Sequence, residues 1–438
     1  MSGLRKKPGE IERSKHTLSG SNATKLWRRL GPGFVTGAAD DDPSGIATYS
    51  QAGAALGNGI LWTLLLTFPL MVSIQIISAR IGRVTGRGLA ANIAGHCPRW
   101  LLLSIVLLLF VANTVNIAAD IAAMGAAVKL MMGGPAALYA VLLGLISLVL
   151  QIYVGFEKYA RVLKFLTLAL FAYVVTAFMV RVNWTDVLGH TLLPRFDLDA
   201  KSLALIVAVF GTTISPYLFF WQAAQEVEEM NAVPGNKPLK DAPAQAHRNL
   251  RRIKIDTQIG MAFSNIVAFF IMVTAAATLH RHGITDIQTS AQAAEALRPL
   301  AGAAAFFLFA LGIVGTGMLA VPVLAAASAY SAAEAFGWNV GLGKTLAKAP
   351  GFYSVLGVGM VLGIGLNFTA LDPIKALVGS AIINGIVAVP IMAVLVFLSS
   401  RSDVMGDYVA STRLKTMGWI ATGSMAAVVL GMFVTSVI

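Results

Sequence analysis

The sequence predicts an all-α membrane protein in which the first and sixth membrane helices are broken. The chain is 57% hydrophobic and only 12% charged, and its mean hydropathy is +0.74. Long apolar runs recur from residue 31 onward, each close to the roughly twenty residues that cross a bilayer as a helix. Two of these runs are interrupted by Pro, Gly and hydroxyl residues. Eleven spans follow, near residues 31–55, 58–79, 101–128, 136–155, 160–180, 202–225, 257–279, 301–330, 351–370, 376–399 and 416–437.

The thirty opening residues, with "LRKKPGEIERSKHTLSGSNATKLWRR", are polar and basic and hold no short apolar leader. They read as a cytoplasmic tail (1–30) ahead of a transmembrane domain (31–438). With the N-terminus inside, 26 of the 33 Lys and Arg residues fall on the inner side and 7 on the outer, as the positive-inside rule requires. The net charge of +12 therefore orients the chain in a lipid bilayer and gives no reason to expect nucleic acid as a partner. Cys97 is the single cysteine, which excludes an internal disulfide and any CxxC site. One polar segment, Gln225 to Asp256, reads as an inner loop with a short helix or partial disorder. The other connections are too short for a soluble catalytic or sensory domain, and no GxxxxGK[ST] phosphate loop occurs. An enzyme, an ATP-driven pump and a sensor all lack the parts they need. No partner protein and no cofactor is indicated.

Span one carries Asp40-Asp41-Asp42-Pro43-Ser44-Gly45 in its middle, and span six carries "FGTTISPYLFFWQ", Phe210 to Gln222. Proline removes a backbone donor, so each break frees amide and carbonyl groups that lipid cannot satisfy. Such backbone must line a cavity or pack on protein. The breaks are five spans apart, where two inverted five-span halves would place matching broken helices around a substrate site. The plainer alternative for "TTISP" is a kink in which the hydroxyls satisfy freed carbonyls. The aspartates argue against that alternative in span one. A carboxylate near the bilayer centre costs about 2.5–3.5 kcal/mol on insertion scales and is seldom kept without a cation, proton or partner.

These residues resemble the natural resistance-associated macrophage protein (Nramp) family of divalent-metal transporters. The matches are "GPGF" (Gly31 to Phe34), Asp42-Pro43 at the family's Asp-Pro-Gly-Asn motif, and "FGTTISP" at its Ala-Thr-x-Met-Pro-His pattern. "AADIAA" around Asp120 and "IDTQIGMAFSNIVAFF" opening span seven match as well. The resemblance implies a LeuT-like fold with a first repeat of about 31–180, an inverted second repeat of about 202–399 and an added helix of about 416–437. It places a transported metal between the breaks. The departures cluster at the implied site. Gly45 stands where the family has its asparagine ligand, Ser44 at the preceding glycine and Ser215 at the thioether ligand. Tyr217 and Gln222 replace two histidines, and Ala123 replaces an acid three residues beyond Asp120. The closest fit is the divergent, Nramp-related branch that resembles magnesium transporters.

Only oxygen remains to hold a metal: the carboxylate of Asp42, with Asp41 beside it, hydroxyls of Ser215, Ser44 or Thr213, and carbonyls of Gly45 and Thr212. Carboxylate, carbonyl and water suit Mg²⁺, Ca²⁺ and Mn²⁺, whereas thioether and imidazole suit later transition metals. The smaller Gly and Ser side chains leave room for an ion that keeps part of its hydration shell, which favours Mg²⁺, with Mn²⁺ second. The metal is substrate here. All six histidines lie in the tail, in loops or at span ends, so no histidine relay exists. Tyr217, Asp120, Gln222 and Asn384 are pathway candidates. For Asp120 the alternative is a helix–helix hydrogen bond with Asn113 or Asn116, and for Asn384 packing beside Gly385. The expected function is alternating-access transport of a hard divalent cation without proton coupling, in a bacterial inner (plasma) membrane. Alternatives are a proton-coupled Mn²⁺/Fe²⁺ importer, an amino-acid transporter of the same fold, or a channel; three aspartates argue against an anionic substrate.

Overall fold

Where the apolar runs lie, helices form. The computed structural model describes residues 31–154, 167–194, 199–369 and 372–437, and every regular element among them is helical. The expected tail and the first part of span five lie outside the described residues. Eight described helices are each long and apolar enough to cross a bilayer. They are spans two (Trp62–Thr85), three (Arg99–Met132), four (Ala136–Tyr153), six (Ala200–Ala232), seven (in Pro243–His282), eight (Ala305–Ala335), ten (Pro373–Ser399) and eleven (Thr412–Ser436). Span nine is a shorter apolar helix, Pro350–Leu366. Span one is divided into Pro32–Asp40 and Pro43–Leu56, and span five is described from Thr167 to Met179. Spans one and six are broken where expected, and a helix follows span ten as the eleventh span.

Burial separates the centre from the rim. In span six 94% of the membrane-crossing stretch is buried, against 22% in span four and 28% in span eleven, so span six runs through the middle and the other two face lipid. Span seven lies along span one, and the contact is made by backbone. A Cβ on Gly37 would fall 2.2 Å from the Gly260 carbonyl oxygen, and one on Gly260 would fall 2.3 Å from that of Gly33. Only glycine permits helices this close. Span six meets span ten in the same way, since a Cβ on Gly211 would fall 2.0 Å from the Ala381 oxygen.

The polar segment 225–256 departs from its expectation. The second half of span six continues to Ala232, and the helix of span seven begins at Ala246, after a short turn at Pro243–Gln245. Ion pairs account for the extra turns: Arg252 on span seven bonds Glu226 and lies 2.9 Å from Glu229, both on span six. One turn further on, the Asp256 carboxylate accepts hydrogen bonds from the backbone N–H groups of Gly31 (3.0 Å), Gly33 (2.8 Å) and Phe34 (3.3 Å). It thereby caps the first half of span one and complements the positive end of that helix. At the other end of the bundle, a helix at Trp184–Leu192 is bent 116° from the end of span five and joined to residue 58 by the Asn58–Asp186 hydrogen bond of 2.7 Å.

Candidate functional site

Pro43 has no N–H to give to the preceding turn, so the helix of span one stops at Asp40 and restarts at Pro43. Asp42 occupies the N-cap position of the new helix. Its Oδ1 accepts from Gly45 N at 2.7 Å, and its Oδ2 accepts from Asn116 Nδ2 at 3.0 Å and faces the Tyr217 hydroxyl at 3.4 Å. The carboxylate is thus aimed toward spans three and six. Asp40 and Asp41 turn instead to span seven, where the single hydroxyl of Ser264 lies 2.6 Å from Asp40 Oδ2 and 3.0 Å from Asp41 Oδ1. One hydroxyl proton serves one acceptor at a time. Asp40 Oδ1 and Asp41 Oδ2 have no protein partner at all. All three acids are at most 2% exposed, and none of the ion pairs among the described residues includes them. A sealed carboxylate without a cationic side chain, as Asp42 is, is one that a bound cation would complete.

Break six faces this cluster. The helix Ala200–Thr213 ends at Ile214, and Pro216 starts the next helix with Ser215 as N-cap. Ser215 does not cap. Its hydroxyl turns back onto the carbonyls of Gly211 (3.0 Å) and Thr212 (2.7 Å), leaving its own oxygen lone pairs open. Gly45 and Thr212 bring the two breaks together: a Cβ at Gly45 would lie 3.2 Å from Thr212 Oγ1 and 3.5 Å from the Asp40 carbonyl oxygen. Thr213 points elsewhere, donating to Val209 O at 2.7 Å and holding the Tyr49 hydroxyl at 3.0 Å. Tyr217 spans the gap with its hydroxyl 3.2 Å from Ala39 O.

The remaining expected residues scatter around this centre. Ser44 turns to span ten, donating to Leu377 O at 3.2 Å, with Ser380 Oγ 3.3 Å away. Asp120 is fully buried and accepts from Asn116 Nδ2 at 3.4 Å, whereas Asn113 bonds Leu324 O and Ser328 of span eight. Gln222 is held by Thr257 at 2.8 Å, farther along spans six and seven. Asn384 is buried, with its Oδ1 unbonded. His96, His190, His247, His280 and His282 all sit at helix ends or turns or in the short helix at 184–192.

The sequence offers Asn116 only as a partner for Asp120 and gives Ser264 no role. The signal for Ser264 is its spacing: Asp256, Gly260 and Ser264 recur every four residues, which makes one stripe of span seven, and each meets span one. Among the described residues no three His, Cys, Asp or Glu side chains converge as metal ligands, because Asp42 points away from Asp40 and Asp41. Any metal here would draw on hydroxyls, carbonyls and water. A cavity of about 350 Å³ opens elsewhere, beside Asn58, Asp186 and His280 at the far end of the bundle.

Comparison with known proteins bears on the family and the fold. Residues 33–435 match the family described as natural resistance-associated macrophage protein-like. A protein of Acidiphilium cryptum described as divalent metal cation transporter MntH is 28% identical, over 99% of this chain and 96% of that one. A crystal structure of the Eremococcus coleocola manganese transporter superposes with a TM-score of 0.70 at 18% identity, covering 95% and 87% of the two chains. Mhp1, a nucleobase-cation-symport-1 family transporter in a closed conformation, gives 0.55 at 14% identity, covering 93% and 92%. Both superpositions speak for the fold.

Proposed function

The chain belongs to the Nramp family, whose members are membrane transporters of divalent metal cations and not enzymes, and we propose that this member carries a hard cation, Mg²⁺ first and Mn²⁺ second, without coupled protons. One observation carries the preference: where the two breaks meet, every available donor is oxygen. Asp42 supplies the charge, and Ser215, Thr212 and the carbonyls of the unwound turns supply neutral oxygens. Neither break contains Met, Cys or His. Oxygen donors with room for retained water favour Mg²⁺ over soft ions.

The absence of coupling rests on Tyr217, Gln222 and Ala123, which stand where the resembled transporters have titratable groups. Coupling is also dispensable. An inside-negative potential of about 100 mV acting on two charges supplies about 4.6 kcal/mol, enough for a gradient of about a thousandfold. The test is uptake of Mg²⁺, Mn²⁺ and Ca²⁺ into liposomes holding a pH probe. Saturable Mg²⁺ uptake at constant internal pH is the expected result. Metal-driven acidification that is lost in Asp120→Asn would favour the second reading, a proton-coupled Mn²⁺ importer.

A further inference from the structure

Among the described residues, Asn116 is the amide side chain that bonds two buried carboxylates. It lies in span three, one turn before Asp120, and is completely buried. Its two N–H groups are both spent on carboxylates, at 3.0 Å on Asp42 Oδ2 and 3.4 Å on Asp120 Oδ2. This fixes the orientation, since the flipped amide would press an oxygen against two acceptors. The other end, Asn116 Oδ1, is then left buried with no donor from the protein. A buried amide oxygen without a partner is rare and unfavourable, and it is satisfied by water or an ion wherever one is within reach.

Reach is set by geometry. Amide oxygen and nitrogen are about 2.2 Å apart, so Oδ1 lies at most about 5 Å from Asp42 Oδ2. A Mg²⁺ about 2.1 Å from that carboxylate would hold a water within hydrogen-bond distance of Oδ1. Break one itself offers no amide side chain, because residue 45 is glycine. We propose that Asn116 is a specificity-determining residue of the cation site: its nitrogen positions Asp42, and its oxygen accepts from a water that the bound ion retains. Span three thereby contributes the amide oxygen that Gly45 does not. The assignment rests on the divalent-cation reading of the breaks and adds a residue to it.

A residue that only ties helices together would affect all ions alike, whereas one that holds a retained water matters most for the ion that dehydrates most reluctantly. The experiment measures KM and kcat for Mg²⁺ and Cd²⁺ uptake into liposomes, with thermal unfolding of the ion-free protein alongside. For Asn116→Ala, KM for Mg²⁺ rises about tenfold, KM for Cd²⁺ rises less than about threefold, and the unfolding midpoint stays within a few degrees. Adding Gly45→Asn to Asn116→Ala returns an amide oxygen from break one and lowers KM for Mg²⁺ again. The fit is tight, since a Cβ at Gly45 meets Thr212 Oγ1 at 3.2 Å, and that hydroxyl has to give by a few tenths of an ångström to admit the side chain. Should Asn116→Ala not fold, Asn116→Ser serves in its place with the same expected order of ions. An unchanged KM for Mg²⁺, or an equal rise for both ions with no recovery in the double variant, overturns the assignment. The site reading fails separately if Asp42→Ala transports like the wild type.

Discussion

Break one and break six interrupt their helices with the same device, a proline directly after an N-cap residue, yet they present opposite chemistry. At break one the N-cap is Asp42, whose carboxylate holds Gly45 N and is gripped in turn by Asn116 and Tyr217 from two other spans. At break six the N-cap is Ser215, which leaves the helix start uncapped and folds its hydroxyl onto the preceding carbonyls. Each broken helix is pinned by a glycine shortly before its break, Gly37 on Gly260 and Gly211 on Ala381. The scaffolds are alike and the functional groups are not. The difference suggests a division of labour in which break one supplies charge and break six tunes which ion is accepted.

Removing the charge tests the comparison most severely. Asp42→Ala is expected to reduce uptake to background while the protein remains monodisperse, because losing the N-cap bond to Gly45 costs about 0.5–2 kcal/mol and removing a buried carboxylate offsets part of that. Wild-type rates would remove Asp42 from the site. The scaffold is the next target. Gly37→Val sets a side chain against the Gly260 backbone, which a Cβ alone would approach to 2.2 Å. It should destabilise the protein by about 1–3 kcal/mol or more, seen as a lower thermal midpoint in detergent. An unshifted midpoint would mean that the two helices separate freely at this point.

Break six is tested by selectivity rather than by rate. Ser215→Met restores a thioether, and the Cd²⁺ to Mg²⁺ affinity ratio should rise about tenfold in competition uptake. An unchanged ratio would leave ion choice to cavity size alone. The smallest effect is expected within break one itself. Asp40→Asn and Asp41→Asn should each slow Mg²⁺ uptake by no more than about threefold, because both side chains point to Ser264 and away from Asp42's partners. A loss as large as that of Asp42→Ala would show that all three acids act on one ion.

What the sequence determined by itself was local in origin. Apolar runs placed the spans, Pro43 and Pro216 placed the breaks because proline lacks a donor, and the three acids in an apolar run marked span one. The lack of soft donors at either break was equally legible. Only the tertiary structure decided which side chains meet. Asn116 reaches Asp42 across 74 residues of sequence, and Ser264 reaches Asp40 across 224. It also turned Ser44 toward span ten and carried the helices of spans six and seven beyond the bilayer through Arg252 and its two glutamates. Helix formation and interruption follow from residues a few positions apart. Partners follow from how whole helices pack, and no short stretch of sequence encodes that.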